Sequence, residues 1–144
     1  MENKSIWIAL LLVALMIFGA IYFAKHQQSL SSGSAEFVNL SAKEFQEALT
    51  KDRNNPDTVI LDVRTLAEYN SGHIEGAKEI DFYATDFKQK LNTLDKSKHY
   101  YIYCRSGHRS GETMRIMKEL GFKRVTNLQY GMNDWKANNL PLVH

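Results

Sequence analysis

The chain has 144 residues, of which 44% are hydrophobic and 24% charged, and its formal net charge is +2 at pH 7. These values are typical of a globular protein with one main domain, and the small charge argues against nucleic acid as a partner. The single cysteine excludes an intramolecular disulfide and a cysteine-based zinc site within one chain.

The first part of the chain is much more apolar than the rest. Residues 6–24 contain no charge and no proline, and as a helix they would extend about 28 Å, close to the hydrocarbon thickness of a bilayer. A cleaved signal peptide is one alternative, but its apolar core is usually shorter, about 7–15 residues. A buried helix of a soluble core is another, and the polar stretch that follows argues against it. We therefore predict that residues 1–5 are an N-terminal flank and that residues 6–24 form one transmembrane helix that anchors the protein in the lipid bilayer.

The orientation of this anchor is nearly undetermined by charge. Lys4 precedes the apolar run and Lys25 follows it, so the positive-inside rule gives almost no bias. A short flank followed directly by an apolar run is typical of a signal-anchor, which favours an extracytoplasmic domain. Residues 25–36 are rich in Ser and Gln and predict a flexible linker, so the folded domain should span residues 37–144.

The first half of this domain predicts short alternating elements. "FVNL" is a strand candidate, and "SAKEFQEAL" predicts a helix because Ser41 and Glu44 have the spacing of a capping box. "TVILDV" is an apolar, β-branched run of the kind found in strands buried on both faces. Thr65 and Glu68 repeat the capping-box spacing, so "LAEYN" should form a short helix.

The second half continues the same alternation. "GAKEID" predicts a strand, residues 82–94 contain a helix, and "HYYIYC" predicts another buried strand. A helix is expected from Gly111 to Leu120 with Gly121 at its C-terminal cap, followed by the strand "RVTNL" and a helical turn that carries Trp135. We therefore predict an α/β fold with a mainly parallel central sheet and helices on both faces.

The only cysteine stands at the end of a predicted strand, where ligands of such sheets bind. In "CRSGHRSGE", Arg105, His108 and Arg109 add positive charge near Cys104, and the start of the next helix adds free N–H groups. Gly107 would allow the loop to curl around the sulfur. These features favour a reactive thiolate over a buried structural cysteine, and both phosphate-ester hydrolysis and sulfur transfer fit them.

The length of the loop distinguishes these two reactions. The signature of cysteine phosphatases would place an arginine at position 110, which is Ser110, and the nearest arginine is Arg109. A phosphate with three equatorial oxygens needs a wider loop than one terminal sulfur. The shorter loop therefore favours sulfur transfer.

Three segments of the chain resemble the rhodanese-like sulfurtransferases. These are "LDVRTLAEYNSGHIEGA", the loop "YCRSGHRS" and the closing segment "VTNLQYGMNDW", in which the family usually has glycine where Tyr130 stands. The resemblance covers nearly all of residues 37–144 and implies a rhodanese-like fold. It does not account for the predicted transmembrane helix.

The resemblance implies a covalent mechanism in two steps. Cys104 would take the outer sulfur of thiosulfate or of a persulfide donor and pass it to a thiol or another thiophilic acceptor. Main-chain amides would hold this sulfur, and nearby side chains would attract the anion. The residues that would bind the substrate are Arg105, Ser106, Gly107, His108, Arg109 and Ser110. No metal or organic cofactor is implied.

Other polar residues are interpreted as structural. Asp62, Arg64, Glu68 and His73 should position loops at the carboxyl end of the sheet. The remaining histidines have no partners at metal-ligand spacing and are expected to be exposed, namely His26, His99 and His144.

Two alternative functions stay open. A non-catalytic rhodanese-like module could carry sulfur or bind a partner without turnover, although the intact cysteine and cationic loop weigh against it. A cysteine phosphatase or arsenate reductase is disfavoured by Ser110.

Overall fold

The computed structural model describes residues 13–21 and 35–144. Residues 13–21 are helical (α1) and exposed. Neither described range contains a helix that is long and apolar enough to cross a membrane. The rest of the predicted anchor at 6–24, the flank at 1–5 and most of the predicted linker lie outside the described residues.

The unit from Ala35 to His144 contains a five-stranded sheet and five helices. Its strands are β1 (Glu36–Leu40), β2 (Thr58–Asp62), β3 (Lys78–Glu79), β4 (His99–Tyr103) and β5 (Arg124–Leu128). Its helices are α2 (Ala42–Asp52), α3 (Leu66–Asn70), α4 (Phe87–Asn92), α5 (His108–Glu119) and α6 (Gly131–Ala137).

The predicted mainly parallel sheet is confirmed. The strand order is β1-β5-β4-β2-β3, and every neighbouring pair is parallel. β4 lies in the middle of the sheet and all its residues are buried, which explains its continuous run of apolar and aromatic side chains. Because all strands run in one direction, their carboxyl ends lie at one edge of the sheet.

Helices cover both faces, as predicted. Side chains of β4 alternate between the faces, so Tyr101 and Tyr103 belong to one core cluster while Tyr100 and Ile102 belong to the other. The first cluster includes side chains of α2 and α6, among them the fully buried Trp135. The second cluster includes side chains of α4 and α5.

Local signals account for the first helices of the unit. The Glu44 carboxylate accepts a hydrogen bond from the Ser41 N–H at 3.0 Å, which completes the predicted capping box of α2. Thr65 and Glu68 form the equivalent box at the start of α3. In α2 the apolar stripe then buries Phe45, whose ring meets that of Tyr101 edge to face at 5.2 Å.

Two predictions about the second half are wrong. The helix expected from Gly111 begins at His108, because Gly107 adopts a left-handed conformation with φ of 90° and acts as its N-cap. His99 was expected to be exposed but is only 7% exposed. As the first residue of the central strand it lies beneath α2, with Nδ1 3.0 Å from Asp52 and Nε2 2.8 Å from the Thr126 hydroxyl.

Candidate active site

The thiol of Cys104 lies directly after β4, at the carboxyl edge of the sheet and beside the first turn of α5. Its Sγ accepts a hydrogen bond from the Gly107 N–H at 3.1 Å and another from the Ser110 hydroxyl at 3.4 Å. Hydrogen bonds to sulfur and the positive end of a helix dipole both stabilise a thiolate. The residue is also buried, with 1% exposure, and its side chain belongs to the core cluster that contains Tyr100 and Ile102, so the burial expected of a structural cysteine is present together with the polar contacts.

The loop offers unpaired backbone donors. Besides the Gly107 N–H on the sulfur, the backbone N–H groups of this loop that find no protein acceptor in the described part of the chain are those of Arg105, Ser106, His108, Arg109 and Ser110. Free N–H groups that surround one position form a binding site for an anion. The loop can therefore hold a negatively charged atom next to the sulfur.

The carbonyl groups at the start of the loop are bonded to α6. The Cys104 carbonyl accepts the Met132 N–H at 2.8 Å, and the Arg105 carbonyl accepts the Asn133 N–H at 3.0 Å. This approach is possible because residue 131 is glycine: a Cβ there would lie 2.5 Å from the Cys104 carbonyl oxygen. The first turn of α6 thus fixes the loop from behind.

Gly107 is required for the same close approach. Its φ is 90°, and a Cβ at this position would lie 1.8 Å from the carbonyl oxygen of Gln129. No side chain fits in that space, and the left-handed conformation itself favours glycine. The predicted curl of the loop at Gly107 therefore has a steric cause as well as a conformational one.

Arg109 connects the loop to α3. Its guanidinium donates two hydrogen bonds to the Glu68 carboxylate, each at 2.8 Å. The bonds from Arg109, supported by Thr65, hold the pKa of Glu68 at about 2, below its ordinary 4.5, and the carboxylate in turn raises the pKa of Arg109. Arg109 also lies over the ring of Tyr83, 5.4 Å from its centroid.

A cavity of about 500 Å³ opens above this loop. Its walls are formed by Arg105, Ser106, His108 and Arg109 together with Glu68 and Tyr83. Most of the predicted substrate-binding side chains are thus brought together, while Gly107 and Ser110 lie beneath them with the sulfur. The described residues contain no group of three or more His, Cys, Asp or Glu side chains arranged to hold a metal ion.

The other predicted positioning residues lie outside the cavity wall. Asp62 and Arg64 form a buried ion pair with a shortest distance of 2.6 Å, and Arg64 also donates to the Gly72 carbonyl at 2.9 Å. His73 stacks on Tyr69 with 3.7 Å between ring centroids, and its backbone pairs with that of Val143. These contacts tie together the segments that follow β2 and the end of the chain.

Comparison with known proteins agrees with this geometry. The family model for the rhodanese-like domain matches residues 41–138, which include all of the loop. The chain belongs to the rhodanese-like domain family.

Members of this family with similar sequences bear names related to sulfur transfer. The putative sulfurtransferase YtwF of Bacillus subtilis is 36% identical over 104 residues, which are 71% of this chain and 98% of YtwF. The putative sulfur carrier protein YrkF of the same species is 32% identical over 79% of this chain, although the match spans only 59% of YrkF. A sulfurtransferase of Allochromatium vinosum is 32% identical over 60% of this chain and 79% of its own length.

Solved structures, one of them a rhodanese-like domain protein, show the same fold. A rhodanese-like domain protein from Staphylococcus aureus is 28% identical, with a TM-score of 0.55 over 69% of this chain and 90% of its own. A protein from Staphylococcus saprophyticus, also 28% identical, has a TM-score of 0.62 over 74% of this chain and 98% of its own. Together with the named relatives, these matches support sulfur transfer at the level of the family.

The sequence analysis missed two parts of this rhodanese-like site. Tyr83 was assigned no role, and no local pattern marks a tyrosine that will lie over an arginine from another loop. The first turn of α6 was recognised only as a closing segment. Gly131, next to an unusual tyrosine, was the available signal that the chain passes close to another backbone there.

Proposed function

We propose that this protein is a sulfurtransferase that carries sulfane sulfur as a persulfide on Cys104. The observation on which this rests is the sulfur of Cys104 at the start of α5, which accepts the Gly107 N–H, in a loop whose other backbone N–H groups have no acceptor in the described residues. Such a pocket suits one small anionic atom, which is the terminal sulfur of a persulfide.

Thiosulfate or a persulfide is the proposed donor. The Cys104 thiolate attacks the outer sulfur of thiosulfate, a new S–S bond forms, the old S–S bond breaks, and sulfite leaves with the electron pair. A thiolate acceptor then attacks the outer sulfur of the Cys104 persulfide, which regenerates the Cys104 thiolate and releases the acceptor persulfide. Both steps conserve charge and need no external oxidant or reductant, in keeping with ping-pong catalysis.

The side chains of the cavity support this role. Arg105 and His108 are exposed at the mouth of the loop and would attract an anionic donor. Ser110 and the N–H of Gly107 stabilise the departing Cys104 thiolate in the second step. Arg109 contributes mainly by position, because Glu68 already neutralises its charge.

Thiocyanate formation from thiosulfate and cyanide tests the proposal. The full-length chain should turn over, and Cys104→Ser should be inactive while its thermal melting stays close to that of the parent. Mass spectrometry without an acceptor should find one added sulfur atom on Cys104. Equal rates for the parent and Cys104→Ser would contradict the proposal.

A sulfur carrier is the second candidate, favoured by the name of the relative YrkF and by the burial of Cys104. A carrier would form the persulfide but release it to cyanide only slowly. The two functions are separated by comparing the amount of persulfide formed in one charging step with the rate of thiocyanate production. Complete charging without turnover would favour the carrier.

We further propose that residues 6–24 tether the domain to a membrane and that the domain lies on the extracytoplasmic side. The support is the uncharged run of residues 6–24 and the short flank before it. The full chain should remain in the membrane pellet after alkaline washing, and protease added to spheroplasts of a bacterial host should digest the domain. Release of the intact chain by alkali would contradict the tether, and protection from protease would contradict the orientation.

A further inference from the structure

Strand β2 is paired unevenly on its two sides. On one side β4 pairs with its whole length, from Thr58 to Asp62, whereas on the other side β3 pairs only with Leu61 and Asp62. Thr58, Val59 and Ile60 therefore have a neighbouring strand on one side only within the described residues. A free strand edge presents unpaired backbone groups with which another chain can pair.

The free side of β2 offers both a backbone donor and a backbone acceptor. Successive residues of a strand turn their N–H and C=O groups to opposite sides. The Asp57 carbonyl accepts from β4 at 2.9 Å and the Val63 N–H donates to β4 at 3.0 Å, so the odd-numbered residues between them face β4. The Thr58 carbonyl and the Ile60 N–H face the other side, where β3 has not yet begun to pair.

A cavity of about 320 Å³ lies along this free side. Its walls come from the end of α2 and the turn that follows, from the segment that leads into β3, and from the residue before β4. Leu49, Pro56, Val59 and Ile60 supply its apolar surface. We call this cavity, together with the free edge of Thr58–Ile60, the β2 groove.

The β2 groove carries an excess of positive charge. Its charged side chains are Arg53, Lys78 and Lys98 against the single carboxylate of Glu75, so three cations and one anion leave a net charge of +2. Glu75 is paired with Arg53, whereas Lys78 and Lys98 form no ion pair within the described part of the chain.

The other edge of the sheet has the opposite charge. The cavity beside β1 is lined by four carboxylates and two Lys or Arg side chains. An acidic chain that seeks a free strand edge is therefore attracted to β2 and repelled from β1. The backbone groups of the β2 groove fit an extended peptide, and its charge fits one with acidic side chains.

We propose that the β2 groove binds an extended, acidic segment of another protein as an additional strand on β2. The backbone of that segment completes the free edge, its carboxylates lie against Lys78 and Lys98, and its apolar side chains cover the apolar wall. The groove lies at the amino-terminal half of β2, whereas Cys104 follows the carboxyl end of β4. The inference therefore does not depend on the proposed sulfur transfer.

The test measures binding of a short, fluorescein-labelled peptide of alternating glutamate and valine to the full-length chain by fluorescence anisotropy. We expect saturable binding with a Kd below about 1 mM. A peptide of the same sequence that is N-methylated at every residue keeps the charges but loses the backbone donors. A third peptide has lysine in place of glutamate. Both should bind the parent about tenfold more weakly or worse.

The variant Lys78→Glu/Lys98→Glu reverses the two unpaired charges of the β2 groove. It should raise the Kd for the acidic peptide about tenfold or more and lower the Kd for the lysine peptide, a gain that a misfolded chain would not show. Thiocyanate formation should stay unchanged. The matched control is Lys43→Glu/Lys136→Glu, which makes the same charge change at exposed positions of α2 and α6 outside the groove. This control should leave the Kd within about twofold.

Four outcomes would overturn the inference. Absence of saturation up to about 1 mM would mean that the groove does not bind such a segment. Equal affinity for the N-methylated peptide would mean that charge alone holds it, without an added strand. Equal weakening by both lysine pairs would assign the binding to the net charge of the chain. Self-association of the parent that Lys78→Glu/Lys98→Glu abolishes would assign the groove to a second copy. Thiocyanate formation tests the proposed function separately, since none of these outcomes changes it.

Discussion

Replacement of Glu68 by glutamine tests whether one charged contact holds the active-site loop against α3. Glu68 accepts both terminal nitrogens of Arg109 at 2.8 Å and also accepts from the Thr65 backbone. Glutamine keeps one acceptor oxygen, but it removes the negative charge and places an NH2 donor where the second oxygen accepts from Arg109. The comparison therefore measures the loss of the charged, two-bond contact as a whole.

The expected loss of stability follows from the pKa of Glu68. The bonds from Arg109 move that pKa from 4.5 to about 2, and each pKa unit corresponds to about 1.36 kcal/mol, so the full effect would be roughly 3 kcal/mol. The carboxylate side chain is 28% exposed, and solvent screening weakens the contact. We therefore expect Glu68→Gln to lower the free energy of unfolding by about 1–2 kcal/mol at neutral pH.

The sign of the pH dependence provides the decisive check. Because the folded-state pKa lies below the unfolded one, the stabilisation is fully present above about pH 4.5 and is lost as the pH falls towards 2. Urea denaturation of the parent and of Glu68→Gln should thus differ at pH 7 and converge in acid. Glu119→Gln removes the charge from an exposed pair with Arg115 and should cause no measurable change. Equal curves for the parent and Glu68→Gln at pH 7 would refute the reasoning.

Three further predictions concern other parts of the domain. Gly107→Ala should abolish thiocyanate formation and lower the melting temperature far more than Gly121→Ala. Both glycines have positive φ, but only at position 107 would the new Cβ meet backbone, 1.8 Å from the carbonyl oxygen of Gln129. Arg64→Leu should cost about 3–5 kcal/mol in urea denaturation by leaving the buried Asp62 unpaired, and adding Asp62→Asn should restore part of that loss. Burial lowers the pKa of His99, so the unfolded chain binds a proton more readily than the folded protein and the parent should lose stability as the pH falls below about 6.5. In His99→Gln the melting temperature should fall less over the same pH range.

Features that depend on neighbouring residues could be predicted from the sequence. The capping boxes at Ser41 and Thr65, the buried run of β4 and the parallel α/β architecture all follow from short-range patterns. The place of Cys104 at the end of a strand follows from the same patterns. These features determine the fold class and the site's location.

Features that depend on the order of strands in the sheet could not be predicted in this way. Glu68 and Arg109 meet because the segments after β2 and β4 are adjacent, and the two residues lie 41 positions apart. His99 is buried where the last residue of α2, Asp52, and Thr126 of β5 meet its ring. Neither pairing has a local signature. His99 was therefore expected to be exposed, and Glu68 was given only a general structural role.

Position 110 links the local and the long-range features of the site. The signature of cysteine phosphatases would have an arginine there, whose guanidinium must reach the substrate. Here Ser110 is fully buried, its hydroxyl lies 3.4 Å from the Cys104 sulfur and 3.3 Å from the Gly107 carbonyl, and it belongs to the first turn of α5. An arginine in this place would need room that the packed loop does not have, and the neighbouring Arg109 is turned towards Glu68. The first turn of α6 binds the Cys104 and Arg105 carbonyls, so the start of the loop is fixed, and Ser110 occupies the position at which a longer loop would place the arginine.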